Sequence, residues 1–278
     1  MLAATAVLPS INDLVDPSGE GGRVPGMAVP LASGATKEDL DRPLQRGVYA
    51  VSSPDQKTVL KLRVFSKEEA RFSPESVLDS VLGANLDLDS RERIRATWTI
   101  LQLTYESYDP DLYPALRFLL EVASKLATLS EGLIADPLSR IYRKASSVPS
   151  PAQPGMEFNV LDFVATEKTF EHDTWTVRTA GLVKFDQPEI QISQVPEAFV
   201  RAAESLMMSV SSGIMRGKTL SVGDKLISET GWIVAGSASE LGPIAKELGI
   251  GSRMYELLPA GSKTVSESLA EWNGSHGQ

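Results

Sequence analysis

Residues 58–65 alternate along the chain. Leu60, Leu62 and Val64 point one way, and Lys61, Arg63 and Phe65 point the other. That period of two predicts a strand with one buried face. Ser73-Pro74-Glu75 then reads as an N-cap, a proline at the first helical position and an acid in the positive first turn. Val77, Leu78, Val81 and Leu82 supply its apolar stripe, and Gly83 a stop. Thr97–Glu106, rich in Thr, Ile and Tyr, predicts a second strand. From Pro114, the set Leu116, Leu119, Leu120, Ala123, Leu126 and Ala127 recurs at helical spacing and is the strongest helix signal in the chain. Leu133–Ala135, Phe158–Thr166, Thr174–Phe185, Thr219–Val222, Trp232–Ala235 and Met254–Leu258 read as further strands. Phe199, Ala202, Ala203, Leu206 and Val210 mark a second long helix.

Two stretches share a spacing. Trp98 reaches Asp109, and Trp175 reaches Asp186, after eleven positions each, and each stretch then meets a proline, Pro114 or Pro196, that opens an amphipathic run. The expected fold is therefore α+β: a mostly antiparallel sheet with helices on one face, built from two related ferredoxin-like β-α-β units. Residues 9–45 are rich in Pro, Gly and Ser and show no period, so residues 1–45 read as a mobile N-terminal arm. Residues 46–260 read as the α+β domain, either one body or two halves joined near 145–157, where Pro149, Pro151 and Pro154 interrupt the chain. Residues 261–278 read as a frayed tail.

Composition narrows the functional classes. The chain has 278 residues, no cysteine and a net charge of −9. A disulfide framework is excluded, and a cytoplasmic location is expected. The acidic balance opposes a phosphate backbone, and the basic spots at Arg91–Arg95 and Arg140–Lys144 are short and interrupted, so no nucleic-acid partner is expected. No run approaches the roughly 20 apolar residues of a membrane span, so no membrane partner is expected either. A structural metal lacks its usual ligands, and no cofactor signature is found. Asn85–Ser90 imitates the start of a calcium loop, but Ser90 stands where glycine belongs and Ala96 where glutamate belongs. Phosphate loops, the Ser-x-x-Lys nucleophile and the Gly-x-Ser-x-Gly elbow are missing from the sequence.

Two places hold chemistry-bearing residues. His172, in Glu171-His172-Asp173, is the candidate general base, weighed against a polar residue at a strand entry. Arg178, Lys184, Asp186 and Glu189 form a charged group around Gly181, a candidate binding site weighed against a solvated turn anchored by Phe185. The segment Thr179-Ala180-Gly181-Leu182-Val183-Lys184-Phe185, followed by Pro188-Glu189, resembles bacterial proteins of unknown function that share a Gly-Leu-x-Lys-Phe-x-x-Pro-Glu stretch. The likeness extends over about residues 97–190 and implies no activity.

Three functions remain: a non-catalytic interaction or regulatory protein of the bacterial cytoplasm, which is favoured; a small-molecule enzyme with an Asp/Glu/Lys/His172 site; and an immunity- or phage-defence-type binding protein. The expected partner is another protein or a second copy, and open sheet edges would allow a homodimer.

Overall fold

The computed structural model describes residues 1–30, 36–80, 83, 86–109, 112–149, 159–185, 187–226, 231–237 and 254–276. The chain divides into two compact units, Met1–Asp136 with Tyr142–Pro154, and Pro137–Ile141 with Gly155–Gln278. It is α+β, with mostly antiparallel strands.

The first unit contains, in chain order, β1 (Leu2–Ala3), α1 (Ile11–Leu14), β2 (Val15–Asp16), β3 (Val24–Pro25), β4 (Met27–Val29), α2 (Lys37–Leu40), β5 (Gly47–Ser52), β6 (Thr58–Ser66), α3 (Pro74–Leu78), α4 (Leu88–Arg95), β7 (Thr99–Ser107), α5 (Leu112–Leu129), β8 (Leu133–Asp136) and, from Tyr142 on, β9 (Ile141–Lys144). The main sheet has the order β4-β5-β6-β7-β1-β8-β9. Its spine is the antiparallel β6–β7 pair, in which Leu60, Leu62 and Val64 stand opposite Tyr105, Leu103 and Leu101. These side chains pack with Phe118, Val122 and Leu126 of α5 in one core. The alternation read from the sequence is thus the buried face.

Of the expected stripe of α5, Leu116, Ala123, Leu126 and Ala127 are buried and Leu119 and Leu120 half-buried, and Ala115, Phe118 and Val122 are buried beside them. This helix is apolar on so many positions that spacing alone left its orientation open.

The expected mobile N-terminal arm needs correction. β1 lies between β7 and β8 and is antiparallel to both, with Leu2 opposite Ile100 and Leu133. Met1 and Ala3 join the α5 core, while Leu2 enters a second cluster with Leu78, Ile94 and Leu133 on the other face. Farther on, Ser10 and Asp13 form a capping box on α1, and Leu8, Ile11, Leu14, Val15 and Val24 are buried. Apolar residues too sparse to show a period still hold this segment once a core exists. The short helices α3 and α4 contribute Leu78 and Ile94 to the second cluster, and so cover part of the face opposite α5.

The second unit contains β10 (Ala165–Glu171), β11 (Thr174–Ala180), β12 (Glu189–Val195), α6 (Val200–Met215), β13 (Lys225–Leu226), β14 (Trp232–Ser237), β15 (Met254–Pro259) and α7 (Val265–His276). Its sheet order is β10-β11-β12-β15-β14-β13, antiparallel except for the β12–β15 pair. Helix α6 packs on β11 and β12, and α7 on β12 and β15. The tail expected to fray is instead a helix with Leu269 and Trp272 buried. Thr219–Val222 forms no strand, and residues 160–162 make a 3-10 turn before β10 begins.

The equal spacings do not mark equal units. β7, α5 and β8 follow one another, and because β1 is antiparallel to both strands, β7 and β8 run parallel with β1 between them. In the second unit, β12 stands between the Trp175 strand and α6, so the order is strand–strand–helix.

Candidate functional site

The charged group around Gly181 sits where the chain leaves β11 in a 3-10 turn, Leu182–Phe185, and returns as β12. Glu189 opens β12 and is 2% exposed. Its Oε1 accepts from the backbone N–H of Gly181 at 2.7 Å and of Val183 at 3.1 Å, and its Oε2 accepts from Thr179 Oγ1 at 2.6 Å. Burial raises its pKa above the ordinary glutamate value, against the pull of these donors and of the nearby Lys184 charge. Gly181 has φ +123°, and a Cβ there would lie 2.4 Å from both Phe163 O and Ser139 Oγ. Only glycine fits that approach.

Lys184 extends to the other side of the turn. Its Nζ donates to Phe163 O at 2.6 Å and to Ser139 Oγ, and lies 5.8 Å from the ring centroids of Phe163 and Phe185, within cation–π range. The two rings meet edge to face at 6.1 Å. Ser139 Oγ in turn donates to Phe163 O at 2.5 Å. A serine beside a lysine has the components of a nucleophile and its base. Here Ser139 is 0% exposed, and Lys184 Nζ donates to both Ser139 Oγ and Phe163 O, so the pair ties the turn to residues 139 and 163.

Arg178 belongs to a different set. Strand register aligns Glu167, Arg178, Gln191 and Glu256 in one transverse row over β10, β11, β12 and β15. Arg178 Nε donates to Glu167 Oε2 at 2.6 Å, and Arg140 Nε lies 2.5 Å from Glu167 Oε1. Gln191 Nε2 donates to Glu256 Oε2 at 2.5 Å, and Glu256 Oε1 accepts from the Ser193 N–H at 3.0 Å. Lys184 and Glu189 are therefore brought together, Arg178 is not among them, and Asp186 lies outside the described residues. Glu167, Glu256, Arg140, Ser139 and Phe163 were missed by sequence reasoning, because only register and chain return put them in place.

His172 is at the far end of the hairpin. Glu171 pairs with Thr174, leaving His172-Asp173 as a two-residue loop with φ of 50° and 63°. Positive φ at both positions is the type I′ hairpin turn. His172 is exposed on it. A turn of this kind fixes the hydrogen-bond phase of the strand before it: Glu171 and Thr169 bond to β11, while the N–H and C=O of Lys168 and Phe170 point outward. Among the described residues, no strand pairs with that outer rim of β10. Lys168–Glu171 is exposed throughout, and Phe170, 57% exposed, meets Trp175 across the strand pair with ring centroids 5.1 Å apart and planes tilted by 52°. Trp175 Nε1 donates to Glu197 Oε2, just before α6.

A groove of about 480 Å³ in the first unit is lined by Arg23, Val24, Pro25, Leu120, Ser124 and Lys125 among others. Arg23 there is engaged with Asp16 and the carbonyls of Asn12 and Glu20. Among the described residues, no helix is long and apolar enough to cross a membrane, and no cluster of three His, Asp or Glu side chains could hold a metal. No protein-family model, curated protein or solved structure matches the chain.

Proposed function

We propose that this chain is a non-catalytic interaction protein of the bacterial cytoplasm, and that it takes up an extended segment of a partner along the outer rim of β10. The observation that carries this reading is the exposed stretch Lys168–Glu171, whose outward N–H and C=O groups at Lys168 and Phe170 have no strand beside them among the described residues. An open edge of this kind is a template for strand addition. The Phe170–Trp175 pair next to it offers an apolar contact for the added strand. The charged side chains that suggested chemistry support the same reading from the other side. Glu189, Lys184 and Arg178 are each spent on bonds within the unit, and His172 occupies an exposed turn.

Selection of a random peptide library displayed on phage against the full chain tests the proposal. Enriched peptides should lose binding to Phe170→Pro and to Lys168→Pro, since each removes an outward N–H without breaking the ladder to β11. They should keep binding to His172→Gln. No enrichment, or peptides indifferent to both prolines, contradicts the proposal.

A further inference from the structure

The charges of β10 are sorted by face. Side chains alternate along a strand, so Glu167, Thr169 and Glu171 share one face, and Thr166, Lys168 and Phe170 share the other. The acids are therefore all on one side and the lone base on the other. In an antiparallel pair, opposed residues lie on the same face. A second copy placed against this edge about a two-fold axis thus never sets Lys168 against Glu167 or Glu171. The full-length register opposes Lys168 to Lys168 of the second copy. A shift that keeps five residues paired opposes Glu167 either to itself or to Glu171. Like charges directly opposed destabilise a strand pair. Lys168 keeps a neighbour of its own, Glu204 on α6 at 3.1 Å, and Glu167 is bound by Arg140 and Arg178. Glu171, exposed beside Asp173 in the turn, has no cation bonded to it among the described residues.

Resting on the strand-addition reading above, we infer that the edge selects a different protein rather than a second copy: a segment with basic residues on the face toward Glu167 and Glu171, and with an acid toward Lys168 and a β-branched residue toward Phe170 on the other. Such a strand meets opposite charge at each charged position of β10 and packs an apolar side chain on the Phe170–Trp175 pair. Its basic character also suits a chain of net charge −9.

The test uses two synthetic peptides of one composition, so that net charge cannot separate them. Thr-Arg-Val-Thr-Glu-Lys-Thr, laid antiparallel from Glu171 toward Glu167, places Arg opposite Glu171, Val opposite Phe170 and Glu opposite Lys168. Thr-Glu-Val-Thr-Arg-Lys-Thr reverses the first and third of these pairs. Binding of each labelled peptide to the full chain is read by fluorescence anisotropy, and the self-association of the chain by sedimentation. The expected result is an affinity about fivefold higher for the first peptide, loss of both in Phe170→Pro, and no dimer that depends on β10. Equal affinities that Phe170→Pro abolishes would overturn the partner chemistry and leave strand addition standing. A dimer abolished by Phe170→Pro would overturn the choice of a different protein while leaving the edge as the interface. Two peptides that bind neither form, with no such dimer, would overturn both readings.

Discussion

Glu189 is a carboxylate placed almost out of water and then satisfied by Thr179 and two backbone N–H groups. Burial nevertheless dominates and raises its pKa above 4.5. Between that ordinary value and the raised one, the folded chain holds a proton that the unfolded chain has released, so stability falls as pH rises through this window. Gln at this position has one oxygen for the Gly181 and Val183 N–H groups and an amide that can donate to Thr179 Oγ1, and it does not titrate. The stability of the native chain relative to Glu189→Gln should therefore decline with rising pH across the window, as measured by chemical denaturation at a series of pH values. A difference that grows with pH would show that the hydrogen bonds outweigh burial. At this scale the sequence was informative in part. Lys184 and Glu189 stand out as charges near a strand glycine, and the structure makes them neighbours. Ser139 and Phe163, which fix Lys184, come from distant parts of the chain, and no local pattern connects them.

Among elements, those that carry a clear period were legible. β6, α5 and α6 lie where alternation or helical spacing put them, and β7 where its Thr, Ile and Tyr content put it; α3 starts at the expected Pro74, while Val81 and Leu82 of its expected stripe lie outside the described residues. β1 was not legible, since two residues carry no period and their place depends on partners about 100 and 130 positions away. Helix α7 escaped notice because only Leu269 and Trp272 anchor it in an otherwise polar stretch. The orientation of α5 gives a direct check on its packing. Phe118 is buried among the β6–β7 side chains, and Leu129, near the end of the helix, is exposed. Phe118→Ala should cost about 3–5 kcal/mol, the range for a buried aromatic residue. Leu129→Ala should stay within about 0.5 kcal/mol. Similar losses in urea denaturation would mean that α5 presents a different face to the sheet.

At the scale of the molecule, each unit is a sheet with its own helices, and the charged residues of the second unit are largely paired within it. The proposed reading rests on backbone: among the described residues, the outer rim of β10 beside an aromatic pair. That feature was invisible to the sequence reading for a physical reason. A strand's composition does not say whether it lies at an edge, and the phase of its outward hydrogen-bonding groups follows from the hairpin turn at His172-Asp173. Amide hydrogen exchange followed by NMR on the full chain measures this rim directly. The N–H groups of Thr169 and Glu171, bonded to β11, should exchange slowly, and those of Lys168 and Phe170 should exchange fast and slow down when the Arg-Val-Thr-Glu-Lys peptide is added. Lys168 and Phe170 amides already as protected as those of Thr169 and Glu171 in the free chain would show the rim to be covered and would contradict the account.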